Sequence, residues 1–354
     1  MLPSMASSKQ SIQPVVDLRQ IADAVGVSVS LVSKVLSGRM GNTGAQATKV
    51  AAIHKKAAEL GYRKNRLALA LRTGRQNVLA VCVHRHGEPG ANIVEEMVLG
   101  IAAEAVAQQQ RLLLNYYETA EEFRKFSPEL QRNAVDGVIM GGLGHPELIK
   151  DLDSVHLRGL PVVTIHDEQL TPGFPNVGMD QAEVARVATR HLIEQGCRRI
   201  AHFKVVEERY EGYRRALQDA GITPDPALVI PCDRFSYPAG VAVTQRLLRS
   251  GAAFDGIVGC SDHHCAAALN VLTSHGRKVP EQVKLIGIDN APFCQFASVP
   301  LSSVSQEYFI RGCHAVRMMM SHLQAKSASS LQVLPVVHSR ESSGRNSLTS
   351  PVIS

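Results

Sequence analysis

The chain has no run approaching the roughly 18 consecutive apolar residues that mark a membrane-spanning helix. Its first residues, MLPSMASSKQSIQP, also lack the apolar core of a secretory signal. A cytoplasmic protein with no membrane partner is expected. The seven cysteines are odd in number and scattered from Cys82 to Cys313, several inside apolar runs such as VLAVCV, which argues against a disulfide framework and predicts buried free thiols. No GxGxxG follows the first apolar run, and the Gly-rich piece GGLGHPE (141–147) is no substitute, so a nucleotide-cofactor enzyme is not supported. The segment CSDHHC (260–265) crowds two histidines and two cysteines, but C(x)4C is not a standard zinc spacing, and adjacent side chains at a strand-to-helix junction diverge. No nucleophile or second carboxylate stands beside His84 and His86. No enzyme, no cofactor and no metal are expected.

What is present begins at residues 18–36, LRQIADAVGVSVSLVSKVL, which read as two short helices joined by a turn at Gly26. Ala22 is small where the helices approach, Gly26 tolerates the turn, and Val32 faces inward. Leu18, Ile21 and Val25, with Val32, Val35 and Leu36, make one apolar face at helical spacing. Ser28, Val29, Ser30, Ser33 and Lys34 are left to look outward, and Ser28 suits the N-cap of the second helix, whose positive end would then meet a phosphate or base edge. This is DNA-reading geometry. A core-capping role for Val29 and Leu31 is the competing reading.

Charge is placed to match. Residues 1–76 carry twelve Lys/Arg against Asp17, Asp23 and Glu59, a net of +9, while the remaining 26 basic and 29 acidic residues net −3. A solvated basic face and a polyanion-binding head are both compatible with that number alone. At 354 residues and 45% hydrophobic, the chain can build a small domain and a larger one. Residues 1–14 read as a polar tail and 15–62 as the helical head, its third helix running from about Thr48 to Leu60 with Val50, Ile53, Ala57 and Leu60 inward and Gly61 as the stop. Residues 63–76 read as a hinge. Within it, 65–72 could be helical but are too short to hold a helix without a partner.

From Val78 onward, apolar runs alternate with helical segments: VLAVCV, LLLNYY, DGVIMGG and LPVVTIHD, then RRIAHF, ALVI, DGIVGC and KLIGID. The expected fold class is α/β: a small all-α helix-turn-helix head plus a two-lobed core of doubly wound parallel sheets. The core spans 77–343, one lobe being about 77–177 and 305–333 and the other about 178–304 and 334–343, followed by a tail, 344–354. Ligands of open parallel sheets sit beyond the carboxyl ends of strands. His84, Arg85 and His86 after the first strand, Asp167 after the fourth, and Ser261, Asp262 and Asp289 in the second lobe are therefore candidates.

In order along the chain, VSVSLVSKVLSG, ELGYRKNRLALALRTGR, VLAVCV, RYEGYRRAL, GCSDHHCAAALNVL, VPEQVKLIGIDN, VPLSSVSQ and HSRESS resemble segments of the lactose repressor (LacI/GalR) family of bacterial transcription regulators, over roughly residues 15–343. The resemblance implies a periplasmic-binding-protein-like core, a homodimer and a pseudo-palindromic double-stranded operator. It places Val29, Ser30 and Lys34 at bases and Ser28 and Ser33 at phosphates. Asn65, Ala68 and Leu71 of the hinge would enter the minor groove, with Leu71 as the wedge. It also makes Arg209, three residues before Gly212, and Asp289 contacts of a small effector. An Arg fork and an Asp acceptor suit a polyhydroxy ligand such as a sugar. The alternative for Arg209 is a surface ion pair with Glu207 or Glu211, and for Asp289 a loop cap.

The chain departs from the family at Lys34, where Arg is usual and a bidentate fork is lost. It departs also at Lys64, Leu69, the turn after Gly38, about three residues longer than usual, and Ser261, where Asn is common. The tail GRNSLTSPVIS has no leucine heptads, which favours a dimer over a tetramer. A ligand-binding receptor of the same core fold without DNA function is the second reading.

Overall fold

The computed structural model describes residues 16–37, 46–62, 75–85, 89–132, 135–142, 147–157, 159–167, 174–324, 326 and 328–344. The hinge residues Asn65, Ala68 and Leu71, the long turn after Gly38 and His86 lie outside them. The chain divides into two compact units, 1–74 and 75–354.

In the first unit, α1 (Leu18–Val25), α2 (Val29–Leu36) and α3 (Ala47–Glu59) enclose a core of Ile21, Ala22, Val32, Val35, Ile53 and Ala57. The helix starts follow from side-chain chemistry. Asp17 accepts from the Gln20 amide at 2.9 Å while Gln20 returns a carbonyl to the Asp17 amide at 3.0 Å, a reciprocal cap. Gly26, at φ 71°, closes α1 in the left-handed region and directs the chain into α2. The expectation that Leu60 points inward is corrected. The helix ends at Glu59 and Leu60 caps it, half-turned to solvent.

The second unit has two lobes. In the first, β1 (Val78–His84), β2 (Arg111–Tyr117), β3 (Gly137–Gly141) and β4 (Val162–Ile165) form a parallel sheet in the order β2-β1-β3-β4. The helices α4 (Ile93–Ala107), α5 (Ala120–Arg132) and α6 (Leu148–Leu157) connect its strands. Strands β1, β3 and β4 are apolar along nearly their whole length, as a sheet covered on both faces requires. Next come β5 (Val177–Met179), α7 (Gln181–Glu194), β6 (Ile200–Lys204), α8 (Glu207–Asp219), β7 (Val229–Pro231), α9 (Tyr237–Arg249), β8 (Gly256–Val258), α10 (Asp262–Ser274), β9 (Lys284–Ile288) and β10 (Ser302–Ser305). The chain then makes α11 (Tyr308–Leu323), which packs on α4, and ends with β11 (Leu331–Val333) and β12 (Val336–His338).

The second sheet runs β12-β10-β9-β8-β6-β7, parallel except for the β10–β12 pair, and β11 pairs with β5. The chain thus passes between the lobes three times, around 176–180, 305–308 and 333–336. His84 is the last residue of β1 and not in the loop beyond it, a correction to the expected placement.

One close approach matters for the site. A Cβ on Gly212 of α8 would lie 1.8 Å from the Ala182 carbonyl oxygen of α7, so only glycine allows these helices to meet there. That contact brings Arg209, one turn earlier, against the start of α7. The C-terminal HSRESS segment is pinned beneath the second sheet. Ser342 donates to the Leu285 carbonyl and accepts from the Ser302 amide, both at 2.8 Å, and Ser343 lies between His191 and Ser302 at 2.8 and 2.6 Å.

Candidate functional site

In the head, Ser28 Oγ accepts from the Leu31 amide at 3.2 Å and starts α2. Ser28, Val29, Ser30 and Lys34 are exposed and Ser33 is half-buried, so one face of α2 offers small, polar and cationic groups to a partner. Leu31 packs against the edge of the core while Val29 remains 42% exposed, so the core-capping alternative holds for Leu31 and not for Val29.

In the core, a continuous hydrogen-bonded relay crosses the second lobe to the chain between the lobes. Arg209 Nε donates to Gln181 Oε1 at 2.8 Å, Gln181 Nε2 donates to Gln306 Oε1 at 2.7 Å, and Gln306 Nε2 donates to Asp289 Oδ1 at 2.6 Å. Both amides are thereby oriented, because the series of bonds starts at a donor-only guanidinium and ends at an acceptor-only carboxylate. Arg209 is 6% exposed, also donates to the Cys260 carbonyl, and has its guanidinium carbon 5.5 Å from the centre of the Phe235 ring. It is not the surface ion pair considered above. Glu207 pairs with Lys204, and Glu211 with Arg214 and Arg215.

Asp289 follows β9 with φ 105°, a conformation rare outside glycine, and Asn290 follows at φ 54°. Arg340 holds this turn by donating to Asn290 Oδ1 at 2.6 Å. Burial pushes the Asp289 carboxyl upward, opposed by Arg209 and by the Gln306 amide. Through Gln181 and Gln306 these groups meet the chain at two of the three connections between the lobes. A polyhydroxy molecule there would find an anionic acceptor at Asp289 and an oriented cation at Arg209.

The remaining candidates divide. Asp167, just beyond β4, keeps a side chain 38% exposed and accepts from Arg311 Nη2 at 3.0 Å. His84 packs its ring 5.4 Å from Tyr117, and Arg85 pairs with Glu118 at the surface. Ser261 and Asp262 are turned into the lobe. Ser261 caps α10 and donates to the Phe235 carbonyl at 2.9 Å, and Asp262, 1% exposed, accepts from the Ala291 amide at 2.7 Å. In the CSDHHC segment the side chains diverge. His263 meets the Pro89 carbonyl at 3.0 Å and Phe293, whereas His264 meets the Arg234 carbonyl at 2.8 Å and Phe235. Among the described residues all seven cysteines are free, and Cys232 is only half-buried where burial was expected.

Gln181, Gln306 and Arg311 were absent from the sequence candidates. The strand-end rule extended to β10 finds Gln306, in VPLSSVSQ, but nothing local marks the other two.

Buried ionisable groups tie core stability to pH. Burial drives His202, stacked on Tyr213 at 4.9 Å, down to about 3, and His264 down to about 4. The unfolded chain therefore takes up protons near pH 6.5 that the folded core refuses, and this stability is lost as pH falls toward 4. Burial and Asp289 raise Asp262 to about 7, so its contribution has the opposite sign and is lost as pH rises from about 4 to 7. Burial also lowers His191 and His338 and raises Asp289 and Glu96, so among the described residues the lowered histidines outnumber the raised carboxyls, and the thermal midpoint of the core should decline on acidification below about pH 6.5. His202→Phe should make that decline shallower and Asp262→Asn steeper, as read by thermal melts across the range.

Residues 189–343 match the periplasmic binding protein-like domain family. The HTH-type transcriptional regulator CelR of Thermobifida fusca is 28% identical over 333 residues, covering 91% of this chain and 96% of that protein. The solved transcriptional regulator CelR–cellobiose complex aligns with a TM-score of 0.65 at 27% identity, over 92% of this chain and 99% of that one. The Lac repressor dimer bound to operator and the anti-inducer ONPF shares the fold, with a TM-score of 0.75 at 19% identity over 93% and 99% of the two chains. With its helix-turn-helix head, two-lobed parallel core and ordered series of motifs, the chain resembles LacI/GalR-type transcriptional regulators along nearly its whole length.

Proposed function

We propose that this chain is a sequence-specific DNA-binding repressor, working as a cytoplasmic homodimer, whose operator affinity is set by a small polyhydroxy effector held between the core lobes. The relay from Arg209 through Gln181 and Gln306 to Asp289 carries the effector half of this reading. It joins Arg209 and Asp289 to Gln306, on the chain connecting the lobes. The CelR relative solved with cellobiose supports a sugar as the ligand class. Residues 15–62 are read as the DNA-binding domain, 63–76 as the hinge and 77–343 as the effector core. Ser28, Val29, Ser30, Ser33 and Lys34 face DNA, joined by Asn65, Ala68 and Leu71 of the hinge. Arg209, Asp289, Asp167, His84 and His86 serve the effector, with Ser261 and Asp262 as the buried support behind them.

An apolar face on α4 and β2, with Leu99 61% and Val106 77% exposed beside Leu114 and Tyr116, supports the dimer. Among the described residues no helix is long and apolar enough to cross a membrane. Regulation, not catalysis, is the role this arrangement serves.

A mobility shift on fragments of the source genome, with salt titrated, tests the DNA half. A regulator retards a subset of fragments and weakens steeply as salt rises, because its cations release counterions from DNA. A receptor without DNA function retards none.

A further inference from the structure

Arg311 is the largest side chain in the fully buried set, 1% exposed, yet two of its donors, Nε and Nη1, have no partner. Its remaining nitrogen, Nη2, donates to Asp167 Oδ1 at 3.0 Å and more weakly to the Val177 carbonyl at 3.4 Å. The guanidinium carbon lies 5.0 Å from the centre of the Tyr308 ring, which fixes its plane. A buried guanidinium with a single-point ion pair is a costly arrangement, because a fork built for two parallel bonds is left half filled. Asp167 is the only carboxylate hydrogen-bonded to it among the described residues, and that carboxylate is the exposed member of the pair. Charges on Asp167, Arg311, Asp289 and Arg209 all act on Tyr308, which puts the pair within the same polar region as the relay.

We propose that Asp167 stands in for an acidic group of the effector on Arg311, so that the ligand of this cleft is a polyhydroxy carboxylate, a sugar acid, whose carboxylate displaces Asp167 and fills the guanidinium fork. The inference rests on the reading of the cleft as the effector site and names its ligand class. Asp167 turning outward uncovers the edge that carries Nη2. The incoming carboxylate gains two charge-assisted bonds where the internal one made a single bond. Hydroxyls on the rest of the ligand meet Asp289 and the relay.

The test rests on opposite signs at two neighbouring residues. If Asp167 were a simple acceptor for sugar hydroxyls, removing it would weaken every ligand. If it is an internal competitor, removing it frees Arg311, deletes a repelling charge and strengthens acids alone. Thermal shifts of the full chain are read at millimolar D-glucuronate, D-galacturonate and D-gluconate, against D-glucose, D-galactose and sorbitol at matched ionic strength. At least one acid should stabilise the wild type more than its neutral partner. Asp167→Ala should tighten that acid by about tenfold or more, and Arg311→Met should lose it.

Arg311→Met replaces a half-satisfied buried charge by an apolar chain of similar length, and should melt no lower than the wild type. Arg311→Lys, which keeps the charge and loses the fork, should fall between the two. Loss of acid binding in Asp167→Ala, equal or greater stabilisation by the neutral partners, or no acid binding to either protein would overturn the proposal. Release or recruitment of operator DNA by a neutral sugar would sink the acid assignment and leave the regulator reading intact. Operator affinity that no ligand moves would sink the regulator reading itself.

Discussion

Arg209→Ala should abolish the effector response while leaving operator affinity in the absence of effector close to that of the wild type. The arginine is placed by three elements at once. The glycine contact between α7 and α8 sets its distance from Gln181, the turn after β8 supplies the Cys260 carbonyl, and Phe235 covers its face. A charge-assisted contact to a ligand contributes about 1.5–3 kcal/mol, so loss of the fork should weaken effector binding by about tenfold to over a hundredfold. Gln181 would lose the donor that orients it, and with it the alignment of Gln306 on Asp289. Gln181 Oε1 and the Cys260 carbonyl, left without their donor, should cost the core about 1–3 kcal/mol each, seen as a lower thermal midpoint. Titration calorimetry with effector, anisotropy with operator and a thermal melt read the three effects separately. An unchanged effector response would remove Arg209 from the site.

Ile53→Ala should disable the head and spare the core. Ile53 is fully buried in a cluster of six buried residues among those described, where α3 closes over α1 and α2. Truncating a buried isoleucine costs about 2–5 kcal/mol, a large share of what so small a core provides. Specific operator binding should fall by at least about a hundredfold, because the face of α2 bearing Ser28, Val29, Ser30 and Lys34 is rigid only while that core holds it. Effector-induced stabilisation of residues 75–354 should be unchanged, since the two units have separate cores. Two melting transitions, with only the head's shifted downward, are the expected calorimetric record. A single transition shifted as a whole would show that the units unfold together.

How far the molecule could be read from its sequence depended on the range of each signal. The head was legible because its determinants are local. A Ser cap, a glycine turn and apolar residues three or four apart all act within two turns of helix. Even there Leu60 went wrong, since a residue in register with a helical stripe turns away once the helix has ended. In the core the long apolar strands announced themselves, but β5, β11 and β12 have three residues each, less than two periods of alternation.

In the candidate site, the polar groups at strand ends, Asp167 and Asp289, were legible as candidates. It was not legible at Arg311, which on an amphipathic helix looks like an ordinary solvated cation until the crossover packs over it. Gln181 is hidden for the same reason, since its role depends on α8 and the β10 connection meeting it from far along the chain. Asp262 shows the converse error. Its position at a strand-to-helix junction promised a ligand contact, but the helix start turns that side chain toward the Ala291 amide.

The central claim is that the polar relay in the core and the reading face of the head belong to one regulated device. Operator sequences selected from a random duplex library by the full chain, followed by affinity measurement with and without a ligand that stabilises the core, test it most directly. The account predicts a pseudo-palindromic consensus whose affinity changes by about 5- to 150-fold on ligand binding, a coupling of about 1–3 kcal/mol, and which no longer responds to ligand in Arg209→Ala. A consensus whose affinity is the same with and without that ligand would contradict it.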